Sequence, residues 1–208
     1  MTQWLDKALT YCTFPLVFGG SMTVAVVGMG IGWDPVITAM ALTAAVVLAL
    51  LVLERVHPYH EEWRRSHGDV RTDILHNLVN FWIPEIYTVL FVGGVAALGG
   101  RLSASLGATL WPTSWHLVGQ LLLALLVAEL GTYWIHRLMH ERAWLWRFHA
   151  PHHSAPRLYW LNAGRFHPLD LFSQQFLAVT PLVLLGADMR VIALLTLFTA
   201  IHGLFQHC

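Results

Sequence analysis

Apolar positions in this sequence run on continuously instead of recurring at a helical or strand period. Runs at residues 11–33, 36–53, 81–99 and 117–135 carry almost no charge, and each is long enough to cross a hydrocarbon core of about 30 Å as a helix. Asp34 and Pro35 form the only polar break between the first two runs, which predicts a tight helical hairpin. Gly28, Gly30 and Gly32 close the first run and are read as small residues for close helix contact. Two shorter runs, 171–186 and 191–205, are separated by Asp188 and Arg190 and predict a C-terminal pair that either spans or turns back. The fold class is therefore an all-α integral membrane helical bundle, with four transmembrane helices, a C-terminal helical pair, and polar stretches at 54–80 and 136–170.

Charge gives an independent check on topology, because lysine and arginine collect in cytoplasmic loops. Arg55, Arg64, Arg65 and Arg71 follow the second run, and Arg137, Arg142, Arg147, Arg157 and Arg165 follow the fourth. These are nine of the twelve basic residues, and counting spans puts both groups on one side. That side is predicted to be cytoplasmic, together with the N-terminus. Lys7 precedes the first run and no small-residue cleavage site follows it, so the run is expected to be a retained span, not a removed signal peptide.

Composition narrows the chemistry. Charged residues make up 12% of the chain, about half the share in a soluble domain. Net charge is zero and no basic cluster accompanies aromatic residues, which excludes nucleic acid as a partner. Two cysteines, Cys12 and Cys208, supply neither a disulfide framework nor a thiolate site. Thirteen histidines outnumber the lysines and arginines together, and they crowd towards one face.

His136 and His140 form an HxxxH pair at the end of the fourth run, where a helix places both rings on one face within reach of a single metal ion. His149, His152 and His153 follow as HxxHH, with five histidines in eighteen positions. Pro151 disfavours a helical Ala150, so this cluster is expected at a bend or just at a helix start, with His152 and His153 turned towards different ions. Glu129 lies on the same face as His136, and an acidic residue inside a span is a functional candidate. Glu129 and Asp170 are candidate partners that orient the rings, whereas Glu141 is read as a surface ion pair. His57, His60, His67 and His116 are read as interfacial or loop residues. Imidazole ligation suits iron, zinc, copper or nickel alike.

These motifs resemble the fatty acid hydroxylase superfamily, which includes sterol desaturases, and most closely its bacterial branch. The likeness covers residues 54–208, after an N-terminal transmembrane hairpin at 1–53. It rests on Arg71-Thr72-Asp73-Ile74-Leu75-His76-Asn77, the His136/His140 and His149/His152/His153 motifs, Phe166-His167-Pro168-Leu169-Asp170, and Gly203-Leu204-Phe205-Gln206-His207-Cys208. The resemblance implies a non-haem site of two iron ions, with zinc as a possible substitute, that uses oxygen to hydroxylate or desaturate a lipid C–H bond. It implies His136, His140, His149, His152, His153 and His207 as metal ligands, with His167 and His202 as further candidates. It also implies a bacterial inner-membrane location with the histidines facing the cytoplasm. Members carry a further HxxHH cluster beyond the position of His207, and this sequence stops at Cys208. Weak metal holding and little turnover are therefore expected of these 208 residues alone.

No dinucleotide fingerprint or haem-attachment motif is present, so electrons are expected from an external reductase, cytochrome or ferredoxin. The alternative reading is a non-catalytic metal-binding or haem-binding membrane protein. Facing, isolated histidines at membrane depth would favour haem, and the adjacent His152 and His153 fit that poorly.

Overall fold

The computed structural model describes residues 3–207. Helix α1 (Gln3–Gly30) and helix α2 (Pro35–Val56) form the expected hairpin. Gly32 turns the chain at φ 98°, and the Asp34 carboxylate accepts the Ile37 N–H at 2.9 Å, with Pro35 in the first turn, where its missing N–H costs nothing.

The third apolar element begins earlier than the expected 81–99. Helix α3 (Val70–Asn80), a short turn, α4 (Ile83–Tyr87), a π turn (Thr88–Val92) and α5 (Gly93–Leu106) make one nearly continuous helical run. The polarity of α3 reads as a loop in the sequence, but Asp73, Asn77 and Asn80 share one helix face that hydrogen-bonds to residues 159–166. These groups answer to protein, not to water.

Helix α6 (Leu117–Glu141), a short α7 (Ala143–His149), α8 (Pro168–Leu185) and α9 (Met189–Phe205) complete the chain. Among the described residues there is no strand. Five helical stretches, including Val70–Leu106 taken as one, are long and apolar enough to cross a membrane, and α9 is shorter. Outward-facing Leu122, Leu126 and Leu130 of α6 are more than 60% exposed, as expected of a lipid-facing surface.

Helix α9 sits centrally. Val191, Leu194, Leu197 and Ile201 are fully buried, packed with α1, α2 and α6. Close approach elsewhere depends on missing side chains: a Cβ on Gly131 would meet the Leu177 carbonyl oxygen of α8 at 2.6 Å. The α8–α9 pair turns at Gly186 (φ 90°) and at Asp188, whose carboxylate caps α9. The chain thus leaves the histidine end at His167 and returns to it at His207.

Candidate metal centre

The last turns of α6 present His136 and His140 one helical turn apart, and α7 folds back against α6. His152 opens a short helix, the second of the two expected placements, but Ala150 is helical where Pro151 was expected to prevent it. Ala150 (φ −53°, ψ −35°) and Pro151 (φ −55°, ψ −37°) are both right-handed helical, so α7 continues into a tight 3-10 turn at His152–Ser154. Proline disfavours this conformation in its predecessor without forbidding it, and the packing of α7 against α6 and α8 determines the path. The consequence is geometric. His149 and His153 end up one turn apart on one side, while His152 is turned away.

The two pairs meet. One ligand nitrogen from each of His136, His140, His149 and His153 lies within 4.8 Å of the others. The Nε2 atoms of His136 and His140 stand 3.1 Å apart, and those of His149 and His153 stand 3.0 Å apart. Two nitrogens on one ion at typical metal–nitrogen distances are roughly 3.3 Å apart in a tetrahedral arrangement, and trans nitrogens of a planar or octahedral one roughly 4.2 Å. The four rings therefore need only sub-ångström adjustment to share one ion, and the all-imidazole donor set suits a transition metal.

Ring orientation is fixed from behind. His149 Nδ1 lies 2.8 Å from the Asp170 carboxylate, both side chains being 0% exposed. A carboxylate accepts, so Nδ1–H donates and Nε2 keeps its lone pair towards the cluster. Gln174 Nε2 donates to the other Asp170 oxygen at 2.7 Å and holds the carboxylate in place. Asp170→Asn is expected to lower metal affinity by about 10–100-fold with little change in helix content, as judged by metal titration of the purified protein. An unchanged affinity would leave Asp170 a purely structural residue.

His152 and His207 form an adjoining pair, with ring centroids 5.3 Å apart. His152 stacks on Phe166 at 4.3 Å, and its buried Nδ1 has no hydrogen-bond partner among the described residues. His207 Nδ1 donates to Asn162 Oδ1 at 2.9 Å, and the Asn162 amide N–H donates to the Arg157 carbonyl, which settles the amide's orientation. His207 Nε2 is thereby left with its lone pair. Burial, followed by the neighbouring His207, His149 and His153, pushes His152 down to about 4. Burial also holds His153 and His207 below the ordinary histidine value. All three are neutral at neutral pH, as metal ligands must be.

The remaining candidates fall outside. His167 spends its Nδ1 on the Leu169 N–H, capping α8, and its ring packs on Phe148. His202 is exposed on α9 and stacks only on Phe198, because its five-residue offset from His207 points it elsewhere. Glu129 is exposed near the middle of α6, two turns from His136, and orients none of the clustered rings. Glu141 pairs with Arg137 at 2.7 Å on the surface. His76 donates through Nδ1 to the Phe166 carbonyl at 2.7 Å.

Sequence reasoning did not single out Asn162, nor the buried lattice around it. Arg157 pairs with Asp69 at 2.6 Å, while Tyr159 Oη and Arg165 both donate to Asp73 at 2.7 and 3.0 Å. These bonds tie α3 to the 3-10 turn at Trp160–Gly164, which carries Asn162. Partners 84 to 92 residues apart leave no local signal.

Fold and site together define an integral membrane protein with a histidine-rich centre where its helices converge. Residues 121–208 match the fatty acid hydroxylase family. It is 38% identical over 165 residues to the ornithine lipid hydroxylase OlsE of Rhizobium tropici, an alignment covering 78% of this chain and 50% of that protein. The chain spans about half the length of this curated relative. No solved structure matches it significantly.

Proposed function

We propose that this chain forms the core of a membrane-bound lipid hydroxylase that uses a pair of iron ions and an external electron donor. The observation that carries the reading is the convergence of two imidazole groups, with Asp170 and Asn162 each fixing a ring so that its Nε2 is free to coordinate. His136, His140, His149 and His153 would hold one ion, and His152 and His207 would contribute to the other. When bound, the metal pair supplies the redox chemistry by which one oxygen atom of O2 enters a lipid C–H bond and the other leaves as water, with two electrons and two protons from the donor.

The protein's own contribution is placement. The α6 and α8 ends keep the rings where the apolar spans give way to polar segments, within reach of a lipid at the bilayer boundary. The basic residues at the same helix ends favour a cytoplasmic-facing site in a bacterial inner membrane. The relative's name supports a lipid substrate and hydroxylation over desaturation.

The test is expression of the 208-residue chain in cells that make candidate amino-acid lipids, with lipids analysed for the gain of one oxygen. Product that depends on iron, oxygen and His140 is expected from the protein that holds both ions. Tightly bound metal with no oxidised lipid would move the reading to non-catalytic metal binding.

A further inference from the structure

The turn that holds His207 through Asn162 also contributes Trp160 and Leu161 to a cleft of about 300 Å3, within the size range of small-molecule sites. None of the six candidate metal ligands lines it. The cleft lies where α2 ends at Val56 and α3 begins at Val70, so it opens at the boundary between the spans and the polar face.

Its walls are of two kinds. Tyr59, Trp63 and Trp160 supply aromatic surface, with the rings of Tyr59 and Trp63 held against His60 at centroid distances of 4.6 Å each. Such rings favour the headgroup level of a bilayer, with one side apolar and the other wet. Arg55 and Arg64 supply positive charge at the rim. Arg55 is exposed and makes no ion pair among the described residues, and Arg64 has only an exposed pairing with Glu61, a bond easily exchanged for another anion. Two other charged groups in the wall are already engaged. Arg157 is neutralised by Asp69, and the Glu54 carboxylate accepts the Trp160 N–H at 2.6 Å.

We propose that this cleft docks the anionic headgroup of a lipid, with its carboxylate or phosphate on Arg55 and Arg64 and its apolar shoulder along Tyr59, Trp63 and Trp160. A free anion would use the two arginines but gain nothing from the aromatic wall; an amphiphile at the boundary uses both. The role of the docked lipid as substrate rests on the hydroxylase reading, whereas the binding itself does not.

The experiment is equilibrium titration of the full chain in neutral detergent, followed by native mass spectrometry, with four probes. These are phosphatidylglycerol, an N-acyl amino-acid lipid with a free carboxylate, phosphatidylcholine and inorganic phosphate. At least one anionic lipid is expected to bind about tenfold or more tighter than phosphatidylcholine, and the two anionic arms decide between phosphate and carboxylate. Arg55→Gln/Arg64→Gln is expected to lose about twenty-five-fold in that affinity, since each arginine near a lipid surface contributes about fivefold. Arg55→Lys/Arg64→Lys should keep most of it, and Trp63→Ala should weaken it while leaving the residual salt dependence. Inorganic phosphate binding as tightly as lipid, or an anionic preference undiminished in the glutamine variant, would overturn the proposal. His140→Ala separates the two readings, because it should lose metal and retain full lipid affinity.

Discussion

Exchange of His140 for alanine is expected to lower metal affinity by about a hundredfold or more, with the helical fold retained. One ligand nitrogen of the ring lies within 4.8 Å of those of three other imidazoles, and losing a direct ligand should exceed the 10–100-fold cost of losing an orienting partner. His140 is exposed, so its removal opens no cavity. His149→Ala should be as severe for metal and worse for the fold. It empties a fully buried position and leaves the Asp170 carboxylate with Gln174 as its remaining side-chain partner. Metal analysis of the purified variants, read beside their thermal unfolding in micelles, separates these effects. His202→Ala is the contrasting substitution and should leave metal content unchanged. Equal metal content in His140→Ala and the parent protein would break the assignment of the four-histidine site.

The second large effect is on stability. Arg157→Gln is expected to destabilise the protein by about 3–5 kcal/mol, because removing one partner of a buried ion pair strands the other. Arg157 and Asp69 side chains are 6% and 1% exposed, and the guanidinium also donates to the Trp63 carbonyl. Asp69→Asn combined with Arg157→Gln should recover part of the loss, since no bare charge remains. Burial alone would raise the Asp69 carboxyl, but Arg157, the His67 N–H and the Ser66 hydroxyl hold it at about 2, below its ordinary 3.8. A carboxyl depressed in the folded state contributes stability that is fully present above its unfolded value and is lost as pH falls through the folded one. The pair's contribution should therefore fade between about pH 4 and pH 2, and the Asp69→Asn variant should show a flatter acid limb in unfolding experiments. Unfolding midpoints equal to the parent's across that range would show that the pair is not a stabilising element.

The membrane bundle was legible because its signal is one-dimensional. Apolar runs such as 117–135 need no partner to be recognised, and the Asp34-Pro35 break carries its own capping chemistry. The HxxxH pair was legible for the same reason, since helical spacing alone puts His136 and His140 on one face. The start of the third element was not. Asp73, Asn77 and Asn80 look like loop residues until their partners at residues 159–166 are known.

The sequence by itself determined which residue types could hold metal and that they would gather where the spans end. Tertiary structure decided which rings meet. His152 and His153 are neighbours in sequence, yet His153 joins His136, His140 and His149 while His152 turns to His207, because the chain stays helical through Ala150 and Pro151. His167 and His202 carry the same imidazole chemistry as the rings that converge, and Glu129 carries a carboxylate of the kind that orients them. They were separated from them by a helix cap, by a position on the outer face of α9, and by two helical turns of α6. Asn162 acquires its role only because α8 and α9 run out and back, bringing His207 to a turn 45 residues earlier in the chain. Helical periodicity fixes neighbours three and four residues apart, and contacts across longer loops depend on packing that no local pattern encodes.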